Sequence, residues 1–271
     1  MKGIVIVPVA PLMTKPQYDC ELADETMCGM VVELGERENG YVKVKTEYNY
    51  SGYMPESCLL TDEDRVKAWE EAELSWVTRG SLDVQAAPKV QSWQMITLPK
   101  GAKVLVCEVQ EDGWTLVELA DGRRGYVRSS GLEAVDKTPW QEKPVYALRS
   151  ALVRTALSYM GSQYRWGGKT AWGIDCSGLC SVSYLIHGIM IHRDASLEPG
   201  FPLREIDMNH MAEGDLIFFP GHVAMYIGDG KYVHATARAG SDAVVINSLR
   251  PGDADFRQDL LDSITKIGSL F

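Results

Sequence analysis

The sequence predicts an α+β domain that follows two small β-barrels. Three features of its 271 residues lead to this fold class. A pattern of glycines and alternating apolar residues occurs twice in the N-terminal half. Two prolines with polar neighbours, Pro139 and Pro144, then mark a boundary. Beyond them, helical patterns come before strand patterns, which is the order of an α+β domain.

The N-terminal half carries an internal repeat whose two copies lie roughly seventy residues apart. Each copy places one glycine before an apolar strand, one before an aromatic-started strand, and one in a closing Gly-aromatic-apolar segment. The matched segments are 29–34 with 101–106, 40–44 with 113–117, and 52–54 with 125–127. We therefore predict one barrel over residues 1–62 and a second over 77–136. The charged residues between them predict a short helical linker over 63–76.

The composition excludes several classes of partner. A formal charge of −10 argues against nucleic acid and anionic membrane surfaces. No apolar run approaches the ~20 residues of a membrane span. Residues 1–10 fit a first β-strand better than a signal peptide, so we expect a cytoplasmic protein, or a periplasmic or exported one in a processed form. The six cysteines are irregularly spaced, and Cys28, Cys58 and Cys107 lie in apolar contexts typical of buried free thiols.

The third domain is predicted over residues 137–271. Apolar residues recur at helical spacing from Val145 to Met160, and again after Cys176, so we expect two helices. A long polar connection from His192 to Glu213 and several strands should follow, with the strands forming an antiparallel sheet. A last amphipathic helix is expected around residues 260–267.

Cys176 is the candidate nucleophile of this domain. It follows a glycine-punctuated loop and precedes an apolar helical segment, which places it at a helix N-terminus. Unpaired N–H groups and the helix macrodipole at that position favour a thiolate, which is the nucleophilic form of cysteine. The structural alternative is a small buried core residue, as free cysteines often are.

Two histidines give this cysteine a chemical context. His222 begins one predicted strand and His234 lies in the next, and the turn Gly228-Asp229-Gly230 joins the two. In such a hairpin both rings can face the same side. A cysteine with one histidine as base and a second as its orienter is the arrangement of thiol proteases. A metal site built from these residues and Cys180 is the alternative, although no second ligand pair has zinc-type spacing.

Five short blocks in the C-terminal half resemble the NlpC-type cell-wall cysteine peptidases. The blocks are Tyr-x-Trp-Gly-Gly (164–168), Asp-Cys-Ser-Gly (175–178), Gly-Asp-Leu-Ile-Phe-Phe (214–219), Gly-His-Val-Ala-Met-Tyr-Ile-Gly (221–228) and Tyr-Val-His-Ala (232–235). They occur in the family's order. The resemblance implies a papain-like fold for residues 137–271. The two N-terminal repeats resemble bacterial SH3 domains, as in the YkfC-like branch of the family.

The resemblance also implies substrate contacts. Asp175 and Ser177 match residues that bind the charged amino end of the peptide, although Asp175 also suits a helix N-cap. Tyr164 matches a tyrosine that donates to the oxyanion or the substrate carbonyl. Asp194 matches a residue that receives the substrate amine, while Ala195 stands where related sequences often carry Ser.

Two aromatic residues complete the predicted site. Tyr50 matches a tyrosine that reaches from the first barrel into the active site of relatives with this domain arrangement. Two roles remain open for Trp166, which are contact with the substrate and a structural role as a buried tryptophan. For the first barrel, ligand contact and a role as a spacer both remain open, whereas a role as a spacer is favoured for the second.

The function implied is a γ-D-glutamyl-L-diamino acid endopeptidase that acts on peptidoglycan stem peptides, without metal or organic cofactor. Cys176, His222 and His234 would be its catalytic residues. Free peptides with an N-terminal L-Ala are the expected substrates. The alternatives are an acyltransferase or amidase on the same scaffold, and a non-catalytic cell-wall-binding module.

Overall fold

The computed structural model describes residues 1–271 and divides into two compact units, Met1–Val135 and Asp136–Phe271. The first unit contains two seven-stranded antiparallel sheets and one helix. The second unit contains three helices, a two-stranded sheet and a six-stranded sheet. None of the four α-helices has the combined length and apolar character needed to cross a lipid bilayer.

The two sheets of the first unit have the same strand order. The first runs β3-β2-β6-β5-β4-β1-β7 and the second β10-β9-β13-β12-β11-β8-β14, so each strand of one has a counterpart seven places later in the other. The first sheet comprises β1 (Lys2–Val5), β2 (Val9–Met13), β3 (Leu22–Met27), β4 (Val31–Glu38), β5 (Tyr41–Thr46), β6 (Ser51–Pro55) and β7 (Leu59–Leu60). The second comprises β8 (Leu74–Val77), β9 (Ser81–Gln85), β10 (Gln94–Pro99), β11 (Lys103–Val109), β12 (Trp114–Glu118), β13 (Arg124–Arg128) and β14 (Leu132–Ala134). The sequence repeat is therefore a repeat of topology.

One pair of matched glycines is explained by the close approach of neighbouring strands. Gly52 lies on β6 and Gly125 on β13. A Cβ on Gly52 would stand 3.1 Å from Cβ of Leu12, and one on Gly125 would stand 2.6 Å from a methyl group of Val84. Both neighbours belong to the second strand of their sheet. A side chain at either glycine would push that strand away, so the glycine recurs.

The charged segment between the sheets forms a helix, α1 (Glu63–Glu71), as its sequence predicts. Asp62 caps it by accepting a hydrogen bond from the backbone N–H of Arg65 at 2.8 Å. The helix is packed rather than extended through solvent: Trp69 is buried, and its indole N–H donates to the carbonyl of Gly29 at 2.9 Å. The guanidinium of Arg65 donates to the carbonyl of Ala120 at 3.0 Å. The helix therefore contacts residues of both sheets, and the second sheet begins at Leu74 within the segment predicted as linker.

The second unit has helices first and an antiparallel sheet after them, as predicted. Its elements are α2 (Val145–Leu157), β15 (Lys169–Thr170), β16 (Gly173–Ile174), α3 (Cys176–Leu185), β17 (Arg204–Ile206), β18 (Leu216–Phe219), β19 (His222–Gly228), β20 (Lys231–Thr236), β21 (Ala243–Ser248), α4 (Gln258–Leu261) and β22 (Lys266–Ser269). The six-stranded sheet has the order β17-β22-β18-β19-β20-β21. All ten residues of α3 are buried, so this helix lies in the core of the unit.

The predicted terminal helix over 260–267 is wrong. Only the single turn α4 forms there, and β22 follows it. The strand inserts between β17 and β18 and pairs with both, so its backbone groups are satisfied on two sides. Ile267 is buried in this strand, so the strand satisfies an apolar position that the sequence pattern assigned to a helix. The hydrogen bonds offered by two neighbouring strands decide otherwise.

Candidate active site

Cys176 is the first residue of α3, as predicted. The preceding Asp175 is the N-cap, and its Oδ1 accepts a hydrogen bond from the backbone N–H of Gly178 at 2.6 Å. Gly178 is required here, because a Cβ would stand 2.1 Å from the carbonyl oxygen of Gly168. The loop before the helix therefore packs directly on the first turn that presents the sulfur. The Cys176 residue is 7% exposed.

Burial opposes the thiolate that the helix start favours at Cys176. Burial, followed by the charge of Asp175, raises the pKa of Cys176 to about 11. Hydrogen bonds from the backbone N–H groups of Val223 and Ser177 and the charge of Arg193 oppose this shift without reversing it. The helix start contributes ~0.3–1 kcal/mol to an anion, whereas removing an ion from water costs several kcal/mol. The thiol therefore keeps its proton at neutral pH.

A buried ion pair holds Asp175 beside the cysteine. The guanidinium of Arg193, itself 1% exposed, donates to Oδ1 at 3.1 Å and to Oδ2 at 3.0 Å. It also donates to the hydroxyl of Ser177 at 2.7 Å. Oδ2 of Asp175 accepts a further bond from the N–H of Gly167 at 2.8 Å. Both carboxylate oxygens are therefore engaged within the protein, and sequence reasoning assigned no role to Arg193.

The two histidines lie together on neighbouring strands, as predicted. The strands β19 and β20 are joined by a two-residue turn in which Asp229 and Gly230 have φ values of 51° and 71°. Positive φ at both positions is the type I′ turn that suits the twist of a hairpin. Nε2 of His222 lies 2.7 Å from Nδ1 of His234. Because Nε2 of His222 is used in this bond, its Nδ1 is the ring nitrogen left for the cysteine.

A third polar residue, which sequence reasoning missed, extends this chain. Nε2 of His234 lies 2.9 Å from Oδ1 of Asn247 on β21. The side-chain amide of Asn247 donates in turn to the backbone carbonyl of Asp255 at 2.9 Å. The only signal in the sequence is an asparagine that follows the apolar run 244–246.

Both imidazoles are neutral. Burial, followed by the neighbouring His234 and Arg257, lowers the pKa of His222 to about 3. Burial also lowers the pKa of His234 to about 4, against an opposing effect of the Asn247 hydrogen bond. A neutral imidazole has one N–H and one lone pair, so each ring can donate at one nitrogen and accept at the other.

The two aromatic residues of the preceding loop differ in exposure. Tyr164 is half-buried, and burial, followed by the charges of Cys176 and Asp175, raises its pKa to about 12. Its phenol therefore stays protonated and can donate a hydrogen bond. Trp166 is 61% exposed, so its side chain is not part of a core.

A small recess lies against α3. Its lining includes Ser177 and Cys180 of α3, Val223 of β19, and His192, Asp194 and Ser196 of the segment that follows α3. Asp194 is exposed, and the hydroxyl of Ser196 lies 3.1 Å from Nδ1 of His192. Ser177 and Asp194, two of the residues predicted to contact the substrate, therefore line the same recess.

The remaining predicted residue, Tyr50, belongs to the first unit. It immediately precedes β6 and packs partly against the hydrophobic core of the first sheet.

All six cysteines of the chain are unpaired. No group of three or more His, Cys, Asp or Glu side chains is arranged to hold a metal ion.

The second unit has the features of a papain-like cysteine peptidase. A cysteine opens a buried helix, its sulfur accepts from the N–H of Val223, and the residue before Val223 is the first of two hydrogen-bonded histidines. This is the nucleophile, base and orienter of thiol proteases on an α+β fold.

Comparisons with known proteins agree with this class. The sequence model of the NlpC/P60 family matches residues 161–253. Dipeptidyl-peptidase 6 of Lysinibacillus sphaericus is 43% identical over 278 residues, which cover 100% of both chains. A gamma-D-glutamyl-L-lysine dipeptidyl-peptidase of Bacillus cereus is 26% identical over 250 residues, covering 86% of this chain and 72% of its own. The crystal structure of an NlpC/P60 family protein from Bacillus cereus superposes with a TM-score of 0.82 at 22% identity, covering 98% of both chains.

The chain belongs to the NlpC/P60 family and is a cysteine peptidase. The matched residues include the cysteine, both histidines and Asn247.

Proposed function

We propose that the protein cleaves the bond between γ-D-Glu and the L-diamino acid of free peptidoglycan stem peptides, releasing the dipeptide L-Ala–γ-D-Glu. The observation that carries the chemistry is the hydrogen-bonded pair His222–His234 beside Cys176, with 2.7 Å between the ring nitrogens. Two relatives named gamma-D-glutamyl-L-lysine dipeptidyl-peptidase and dipeptidyl-peptidase 6 support the choice of bond. A dipeptidyl-peptidase acts from a free amino end, in agreement with the N-terminal L-Ala expected from the sequence.

In the proposed reaction, Sγ of Cys176 attacks the γ-carbonyl carbon of D-Glu while its proton passes to Nδ1 of His222. The amide C–N bond then breaks, and His222 returns that proton to the leaving amine of the diamino acid. Water, deprotonated by the same imidazole, hydrolyses the thioester and restores the thiol. Because thiol and imidazole both begin neutral, proton transfer accompanies the attack rather than preceding it.

The oxyanion is assigned to two donors. The backbone N–H of Cys176 is among the first of its helix, where N–H groups have no intrahelical acceptor. The Tyr164 phenol, which stays protonated because its pKa is raised to about 12, is the second. Donors already in place where negative charge develops stabilise the transition state.

The amino end of the substrate is assigned to Asp175, Ser177, Asp194 and Tyr50. Asp194 is exposed beside the recess, which suits direct contact with an ammonium group. The oxygens of Asp175 and the hydroxyl of Ser177 already accept hydrogen bonds from Arg193. We therefore propose that these two residues form the wall of the subsite and hold Cys176 in position. Trp166 is exposed on the loop before the helix and is assigned to peptide contact.

We further propose that residues 1–62 and 77–136 are two SH3-like barrels joined by the segment 63–76. Their identical strand order supports this assignment. The packing of α1 against residues of both sheets favours a single accessory unit over two independent spacers.

A cytoplasmic role in muropeptide recycling is also proposed, and six unpaired cysteines suit a reducing compartment.

A cleavage assay on L-Ala–γ-D-Glu–diamino acid peptides, made with L-lysine or with diaminopimelate, tests the proposal. We expect the wild type to release L-Ala–γ-D-Glu and Cys176→Ala to release none. Cys107→Ala, which removes an exposed thiol of the first unit, is the matched control and should retain activity. Peptide with an acetylated amino end and intact sacculi should be poor substrates, and equal cleavage of either would contradict the need for a free amine. Mass analysis with an added amine acceptor distinguishes hydrolysis from acyl transfer.

A further inference from the structure

The side-chain amide of Asn247 has only one orientation compatible with its surroundings. Its two polar atoms face the backbone carbonyl of Asp255 and Nε2 of His234, each at 2.9 Å. A backbone carbonyl can only accept hydrogen bonds, so the NH₂ group must face Asp255 and Oδ1 must face His234.

The carbonyl of Asp255 is itself held in place. It accepts a second hydrogen bond, from the backbone N–H of Ser248, at 3.0 Å. The turn that carries it is tied to the same serine, whose hydroxyl donates to Asp253 at 2.7 Å. The acceptor that orients Asn247 is therefore part of the backbone and does not depend on a mobile side chain.

The orientation of Asn247 determines where the protons of both imidazoles lie. Because Oδ1 only accepts, Nε2 of His234 must carry the hydrogen, and in the neutral ring Nδ1 then has the lone pair. That lone pair faces Nε2 of His222 at 2.7 Å, so Nε2 of His222 carries the hydrogen. The lone pair of His222 is left on Nδ1, the nitrogen that must take the proton of Cys176.

We propose that Asn247 is a positioning residue that, through His234, fixes the tautomer of His222 with its Nδ1 unprotonated. This inference rests on the proposed peptidase function, in which His222 is the base. Without Asn247, His234 can place its hydrogen on Nδ1, and His222 then carries its own hydrogen on the nitrogen that should accept one.

The charged groups around the pair do not replace this contact. Arg257 lowers the pKa of both rings, and its guanidinium is paired with Asp259 at 2.7 Å. The carboxylate of Asp255 faces Lys231 at 3.3 Å. Tyr232 offers His234 its ring, with centroids 5.2 Å apart in an edge contact. Nε2 of His234 has its hydrogen bond with the side-chain oxygen of Asn247.

The experiment combines ¹⁵N spectra of histidine-labelled protein with kinetics of Asn247→Leu and Asn247→Asp. In the wild type, we expect Nε2 of both rings to be protonated and both Nδ1 atoms to be unprotonated. Asn247→Leu removes the acceptor while keeping a similar volume, and should mix the tautomers. It should lower kcat about ten- to a hundredfold with KM within about twofold, a smaller loss than the 10²–10⁴ of a missing base.

Asn247→Asp keeps an acceptor for Nε2–H and should recover most of kcat at alkaline pH. Its carboxylate also raises the pKa of His234. When His234 is doubly protonated, its Nδ1–H donates to His222 and forces the wrong tautomer. The acid limb of kcat should therefore move to higher pH in Asn247→Asp but not in Asn247→Leu. Asn209→Leu, the other asparagine of the second unit and an exposed one, is the control and should match the wild type.

A wild-type spectrum with the hydrogen of His222 on Nδ1 would overturn the inference. This measurement does not depend on the folding of any variant. Unchanged kcat and unchanged ring spectra in Asn247→Leu would overturn it as well. The spectra use no substrate, so failure to cleave stem peptides would count against the proposed function and leave the tautomer assignment to be judged separately.

Discussion

The two sides of the active site are held by opposite means. On the nucleophile side, the carboxylate of Asp175 and the guanidinium of Arg193 form a buried, bidentate ion pair next to Cys176. On the base side, His222, His234 and Asn247 are linked by hydrogen bonds between neutral groups. The charged side holds the backbone of the loop at Gly167 and the first turn of α3 in position. The neutral side fixes where a proton lies.

This difference has a chemical consequence. A carboxylate beside His234 would favour a charged imidazole, whereas an amide oxygen orients the ring and leaves it neutral. The charge of Asp175 is paired with Arg193, and it still contributes to the raised pKa of Cys176. The predictions below test whether the charged side acts mainly on stability and the neutral side mainly on proton transfer.

The largest effect is expected from Arg193→Met. The carboxylate of Asp175 would then lie buried without its cation, and breaking a buried pair costs about 3–5 kcal/mol. Urea unfolding should show this loss in the free energy of unfolding. Asp175→Asn/Arg193→Met, which removes both charges and keeps an N-cap residue, should recover part of it.

Arg250→Met serves as the matched control, because Arg250 and Asp229 are both exposed and lie 3.7 Å apart. A surface pair of this kind contributes ~0–1 kcal/mol. If Arg193→Met and Arg250→Met lowered the free energy of unfolding by similar amounts, the buried ion pair would have no special role in stability. The distinction between the charged and the neutral side of the active site would then be lost.

The next largest effect is expected from His234→Leu. The ring of His222 would lose its orienting acceptor, so kcat should fall roughly a hundredfold, at the lower end of the range for general-base catalysis. Unfolding by urea should change much less than for Arg193→Met. A variant with normal kcat and a large loss of stability would assign His234 to folding rather than to proton transfer.

A smaller and graded effect is expected when pH is varied. The rate at which iodoacetamide alkylates Cys176 in the absence of substrate should increase with pH. Only the thiolate reacts, and burial raises the pKa of the thiol to about 11. The thiolate fraction therefore rises with pH, roughly tenfold per unit below the pKa. The Cys107→Ala background removes the most exposed competing thiol. A rate that is already level between pH 6 and 8 would show an ionised cysteine and contradict the neutral pair.

The smallest effect on stability is expected from Trp166→Ala. The side chain is 61% exposed, and exposed positions usually change the free energy of unfolding by less than about 0.5 kcal/mol. If the residue contacts the peptide, KM for the stem peptide should rise while the unfolding midpoint stays in place. A large loss of stability would instead place Trp166 among the residues that pack the loop.

The sequence by itself determined the local features of the site. The glycine-rich loop and the cap at Asp175 predicted a helix that begins at Cys176, and Gly228-Asp229-Gly230 predicted the hairpin that carries both histidines. These features depend on residues close to one another in the chain, where turn chemistry and periodicity act directly. The repeat of the first unit was visible for the same reason, since each copy has its own glycines and strands.

Only the tertiary structure decided the contacts between distant segments and the proton states that depend on them. Arg193 lies 18 residues from its partner Asp175, and Asn247 lies 13 residues from His234. Residues 266–269 became a strand because two neighbouring strands offered them hydrogen bonds. The proton of Cys176 stays on sulfur because burial, which no local pattern measures, outweighs the field of the helix start.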